Sequence, residues 1–176
     1  MSNRFDCQSS TAAAYLARPA ERLVLEGYRR WISGAVSGSL EPWREAAALY
    51  RIVLGDGGAT AAVHALSEFV ATLGRCATCP LKIFECGSRH ICRDEVLVLG
   101  LIAGIQNHDE TAATICLDEL TCPARCDEVA LAAGSFALLL HGLDKTLLPI
   151  PVHVVRDILD RSRAPWGGAS HTTTLH

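Results

Sequence analysis

From Cys76 to Cys92 the sequence reads Cys-Ala-Thr-Cys-Pro-Leu-Lys-Ile-Phe-Glu-Cys-Gly-Ser-Arg-His-Ile-Cys, with thiols at Cys76, Cys79, Cys86 and Cys92. The two residues between Cys76 and Cys79 let both sulfurs turn toward one ion about 2.3 Å away, and Pro80 stiffens the exit. Cys86 and Cys92 then complete a tetrahedron. A second group, Cys116, Cys122 and Cys126, surrounds a later connection, where the three-residue interval from Cys122 to Cys126 is less diagnostic. With His90 these thiols make eight candidate ligands, the number that two four-coordinate zinc ions require.

Disulfides are the competing chemistry. The chain has 8 cysteines, an even number, and seven of them fall between Cys76 and Cys126. Met1 to Ala14 lacks the apolar centre of a secretory signal, so a reducing cytoplasmic compartment is expected, and crowded thiols there favour metal ligation. Cys7, remote in sequence, is expected to be a free thiol. Cys116 reads equally as a small core residue on an apolar stripe. His90, beside Arg89 in a polar loop, reads as solvated as well as ligating.

Zinc is favoured over an iron–sulfur cluster because both cysteine groups look like closing staples between helices, although thiolates serve either centre. The order two, six, five resembles the opening half of the fungal zinc-cluster transcription factors. The second pair two residues apart is missing after Cys92, and Lys82 is the single cation between Cys79 and Cys86. The same intervals, reordered, resemble the iron–sulfur loop of helical DNA glycosylases, and the tight cysteine run resembles oxygen-sensing regulators with N-terminal clusters. None of these resemblances extends beyond the loop, and none assigns a family.

Helices must position these thiols. Val24, Tyr28, Trp31 and Ile32 mark a helix starting near Pro19, followed by a small-residue linker from Ser33 to Ser39. Trp43, Ala46, Ala47, Tyr50, Val53 and Leu54 share one face of a second helix, which Gly55-Asp56-Gly57-Gly58 breaks. Val63, Leu66, Phe69, Val70 and Leu73 mark a third, ending at Gly74. From Asp94 to Gln106 apolar residues cover every side, so that helix is expected to be central. Asn107-His108-Asp109 supplies a turn and a cap before the stripe Ala112, Ile115, Cys116 and Leu120. Further helices span Asp127 to His141 and, after Pro149-Ile150-Pro151, Val152 to Leu159. If neighbours run up and down with short loops, the Cys76 to Cys92 and Cys122 to Cys126 connections meet at one end.

The reading is an all-α, single-domain bundle of six or seven helices over residues 1–163 with a cysteine-rich metal-binding pole, and a flexible tail over 164–176. The chain is 176 residues long, with 49% hydrophobic residues and a net charge of −3. It can bury a continuous core, and it lacks the basic excess that neutralises nucleic-acid phosphates. The longest apolar stretch, Val129 to Leu140, is shorter than the roughly 20 residues that cross a bilayer. His64 and His141 read as core or helix-end residues, and Asp109-Glu110 and Asp118-Glu119 as caps or solvated carboxylates. Arg29-Arg30 with Trp31, and Trp43-Arg44, form a basic and aromatic patch whose rings also fit apolar faces. Gly55 to Gly58 lacks the lysine and hydroxyl residue of a phosphate loop. Thiolate ligands without an accompanying catalytic group point to a non-enzymatic regulatory or adaptor protein acting through protein contacts, with a homo-oligomer left open. An iron–sulfur redox, oxygen-responsive or electron-transfer protein is the alternative.

Overall fold

The computed structural model describes residues 14–163 and 173–175. Helix α1, Pro19–Ser37, opens on proline, whose fixed φ suits a first turn where an N–H would have no partner. It continues through most of the expected linker and stops at Gly38, whose φ of 66° is left-handed. The small residues serve packing here instead of flexibility. A Cβ on Gly34 would lie 2.4 Å from the Trp43 Nε1, because that indole rests on the α1 backbone and donates to the Trp31 carbonyl at 3.1 Å. Trp31 and Trp43 stack with centroids 5.5 Å apart.

Helix α2, Glu41–Cys76, contains the expected break as a kink at one residue. Gly55 adopts φ 71°, ψ 170°, and the helix resumes at once through Asp56, Gly57 and Gly58. A glycine at this backbone conformation avoids the strain any Cβ would bring. The helix also runs past Gly74 to Cys76. Its buried face of Ala62, Leu66, Phe69, Val70 and Leu73 packs against α1 and against α5, Cys126–Gly142. Phe69 stacks on Phe136 of α5 at 6.0 Å.

The apolar run after Cys92 forms α3, Arg93–Gln106, buried from Asp94 to Gly104. It contacts α1, α5, α4 (Glu110–Leu120) and α6 (Val152–Arg163), as its all-round hydrophobicity predicts. Asp109 caps α4 by accepting from the Ala112 N–H at 3.0 Å. A 3₁₀ turn, Pro123–Arg125, leads into α5. The connection from α5 to α6 is fastened by polar side chains. Gln106 Nε2 donates to the Ala137 and Lys145 carbonyls, both at 3.0 Å, and its Oε1 accepts from Leu147 N at 2.9 Å. Glu21 Oε1 accepts from Leu148 N at 2.8 Å.

The protein is predominantly helical, with one addition to the all-α reading. Strand β1, Leu81–Ile83, pairs antiparallel with β2, Thr173–Leu175, placing Leu81 opposite Leu175. Leu81 and Ile83 point into the core while Lys82 faces out, the alternation a half-buried strand requires. Apart from that strand, the 164–176 tail lies outside the described residues, as does Cys7. Among the described residues no helix is long and apolar enough to cross a membrane.

Two glycine substitutions separate packing from propensity. Gly34→Ala should destabilise the protein by about 1–3 kcal/mol, because the indole rests on the backbone itself. Gly57→Ala meets open space and should stabilise it by about 0.5–1 kcal/mol. Urea denaturation of both variants measures the two signs.

Candidate functional site

The loop that carries most of the thiols is held by buried charges. Arg29, on α1, has a side chain 0% exposed, and all five of its N–H groups are used. Nε donates to Glu95 Oε1 at 2.7 Å, and Nη2 donates to Glu95 Oε2 at 3.1 Å and to the His90 carbonyl at 2.6 Å. Nη1 donates to Glu26 Oε1 at 3.2 Å and to the Ser88 carbonyl at 2.8 Å. Glu95 in turn accepts from Phe84 N and Cys92 N, each at 2.9 Å. Glu26 accepts from Gly87 N at 2.9 Å and pairs with Arg30, while Asp94 Oδ2 accepts from Lys82 N at 2.9 Å. Burial opposes the charge on Arg29, but Glu95 and Glu26 outweigh it and hold the proton more tightly than usual. The basic and aromatic patch read at Arg29-Arg30 is therefore corrected for Arg29, which faces inward between two carboxylates, Glu95 and Glu26, and the Ser88 and His90 carbonyls of the loop it fastens.

The thiols divide among three environments. Cys92 is the N-cap of α3, in a capping box completed by Glu95, and its Sγ donates to the Lys82 carbonyl at 3.1 Å. Burial, aided by Glu95, pushes this thiol up to about 12. Cys86 is an exposed residue near Arg30 and Glu26 whose sulfur is partly desolvated, which raises its thiol, and His90 is exposed with its ring 5.8 Å from Phe84. Cys116 lies in the core, where burial pushes its thiol up to about 12. Its Sγ stands 2.7 Å from where a Cβ on Gly100 would be, so the α3–α4 crossing is close because residue 100 has no side chain.

The third environment joins the two connections. Ala77 forms an antiparallel bridge with Thr121, flanked by Cys122 N donating to the Cys76 carbonyl at 3.0 Å and Thr78 N donating to the Leu120 carbonyl at 3.3 Å. This register sets Cys76 opposite Cys122. Cys79 lies just beyond the bridge, exposed, on a cleft of about 240 Å³ shared with Leu81, Arg93, Asp94 and Asp118. Cys126 opens α5, its Sγ 3.0 Å from Thr121 Oγ1 and 4.0 Å from Asp118 Oδ1. Buried Cys76 donates to Glu128 Oε2 at 3.9 Å. Burial raises this thiol, an effect opposed by Arg125.

The backbone thus gathers Cys76, Cys79, Cys122 and Cys126 at one junction, and places Cys86, Cys92, Cys116 and His90 elsewhere. Among the described residues no group of three or more His, Cys, Asp or Glu side chains converges where an ion would sit. An ion at the bridge would require Cys76 to turn from Glu128 and Cys126 from Thr121. Each move is a rotation about the one side-chain torsion a cysteine has.

Sequence reasoning missed the carboxylates that organise the loop. Their signals were present: Glu95 stands three residues after Cys92, at capping-box spacing, and Glu26, Arg29 and Arg30 interrupt an otherwise apolar stretch at intervals of one helical turn. His64, read as a core residue, is exposed on a groove between α2 and α5, whereas His141 ends α5 as expected, within 2.9 Å of Thr146 Oγ1.

Removing one partner from the buried network leaves a charge without compensation, so Glu95→Ala should lower unfolding free energy by about 3–5 kcal/mol. Arg44→Ala, which removes an exposed partner of Glu41, should change it by less than about 1 kcal/mol; urea midpoints compare them. A second test uses the raised thiols. Cys92 and Cys116 keep their protons in the folded state up to about 12, whereas an unfolded cysteine releases its own near 8.5. The folded state therefore binds more protons between these values, and stability present below pH 8.5 falls as pH rises toward 12. Urea midpoints at pH 8, 9.5 and 10.5 should decline, less steeply in Cys116→Ala.

Compared with protein-family models, curated proteins and solved structures, the chain matches none of them.

Proposed function

We propose that this chain is a non-enzymatic regulatory or adaptor protein in which a zinc ion, held by thiolates where two helix connections meet, fixes a surface for another protein. The observation that carries the reading is the Ala77–Thr121 bridge, which brings a Cys-x-x-Cys pair and a Cys-x-x-x-Cys pair to adjacent backbone segments. Four thiolates make a closed coordination shell, which suits a structural ion and leaves no position for a reacting water. The proposed ligands are Cys76, Cys79, Cys122 and Cys126, one ion in all. Cys92 is engaged as a helix cap and Cys116 as a packing residue, which argues for one ion instead of two.

A partner surface adjoins this junction. Glu128, which accepts from Cys76 and pairs with Arg125, also lines a groove of about 420 Å³ between α2 and α5. Leu131, 75% exposed, borders that groove, and Leu138, 60% exposed, follows two turns later on α5. Fixing Cys76 and Cys126 on an ion would release Glu128 from its thiol contact and tether the first turn of α5. The ion and the groove would then be coupled through one carboxylate.

Elemental analysis with a visible spectrum, on protein purified without air, tests the reading. The expected result is about one zinc per chain and no visible absorption, with zinc lost in Cys79→Ser and Cys122→Ser and retained in Cys116→Ala. A brown protein with iron and sulfide in equal amounts would replace zinc with a cluster. A colourless protein without metal would overturn the proposal.

A further inference from the structure

The register of the bridge gives two of these thiols a second chemistry. Cys76 and Cys122 are opposed across antiparallel backbone, one residue out from the Ala77–Thr121 pair and tied by the Cys122 N–H to the Cys76 carbonyl at 3.0 Å. That single N–H···O=C bond, with the covalent links on either side of it, holds the two Cα atoms roughly 5–6.5 Å apart, and each thiol lies within electrostatic reach of the other. Disulfides form at Cα separations of about 4.4–6.8 Å. The competing pairs are differently turned. Cys79 is exposed on the cleft with Asp94 and Asp118, and the Cys126 sulfur faces Thr121 and Asp118.

We infer that Cys76 and Cys122 are a site of reversible oxidation that closes as an intramolecular disulfide across the bridge. Cys122 is partly exposed and Cys76 is buried, which orders the steps. Hydrogen peroxide transfers one oxygen to the Cys122 thiolate, giving a sulfenic acid and hydroxide. The Cys76 sulfur then attacks that sulfur, the S–O bond breaks, and the oxygen leaves as water with the Cys76 proton. Peroxide is the oxidant, reduced by two electrons, and the two thiols supply them. The disulfide follows from register and does not need an ion. Its regulatory meaning rests on the zinc reading, because the same two sulfurs cannot serve the ion once joined.

The test uses the full chain, stripped with a chelator, treated with hydrogen peroxide, alkylated and digested. Mass spectrometry should find the Cys76 and Cys122 peptides joined and released by dithiothreitol. The cross-link should persist in Cys79→Ser and Cys126→Ser. Because it closes a long loop, the oxidised protein should melt on the order of 10 °C higher than the reduced one. Cys76 joined to Cys79, Cys122 joined to Cys126, sulfinate without a cross-link, or alkylation of both residues after peroxide would each overturn the inference. Mapping in the unsubstituted protein decides even where a variant misfolds. A protein that cross-links yet purifies without metal keeps this inference and removes the zinc reading; zinc bound in the protein with no cross-link after stripping does the reverse.

Discussion

The ion pair between Arg29 and Glu95 is the constraint on which the cysteine-bearing half of the molecule depends. Both side chains are fully buried, so each has lost its hydration, and their mutual attraction offsets that loss only with every remaining donor and acceptor engaged. Here they are. The guanidinium spends its five N–H groups on Glu95, Glu26 and two loop carbonyls, and Glu95 spends its spare lone pairs on two loop amides. The reason for burying charges lies in the backbone between β1 and α3. That segment has little regular structure to absorb its own polar groups, and apolar side chains in place of the pair would leave those groups without partners.

The same logic recurs at the opposite connection. Gln106, Asn107 and Glu21 supply the hydrogen bonds that residues 144–148 do not make among themselves. Regular helices satisfy their backbone internally and need only an apolar face to be placed. Irregular connections must borrow donors and acceptors, and in this fold they borrow them from long side chains reaching across from helices already fixed by the core.

This division explains what could be read in the sequence. The helical elements follow from periodicity, and the centrality of α3 from hydrophobicity on all its sides, because burial acts on whole faces and leaves a repeated trace. The break at Gly55 was legible as a break, but its extent was not, since one glycine absorbs the turn and the next three residues have no reason to leave the helix. The small residues from Ser33 onward were misleading: Gly34 looks like a linker residue and is a contact surface for Trp43. The loop's anchors were least legible. Density of cysteine drew the reading to metal, whereas the hydrogen bonds that hold the loop run through Glu95 and Asp94 just after it and through Arg29 and Glu26 on α1, and a partner 66 residues distant leaves no periodic mark.

The loop is held by hydrogen bonds that do not involve its sulfurs, and the thiols are parted among three environments. A staple required for folding would be expected where no other force closes the chain. At the Ala77–Thr121 bridge, by contrast, the fold already supplies backbone hydrogen bonds, helix ends and nearby core packing, so whatever binds or joins the sulfurs there adds to a junction that exists without it. Chemistry at such a place is suited to being reversible. Glu128 extends its consequences outward, because it touches the Cys76 thiol on one side and the groove beside Leu131 on the other. Under the proposed zinc reading, a change in the state of the sulfurs would change what that carboxylate faces, and the groove is where the alteration would be felt.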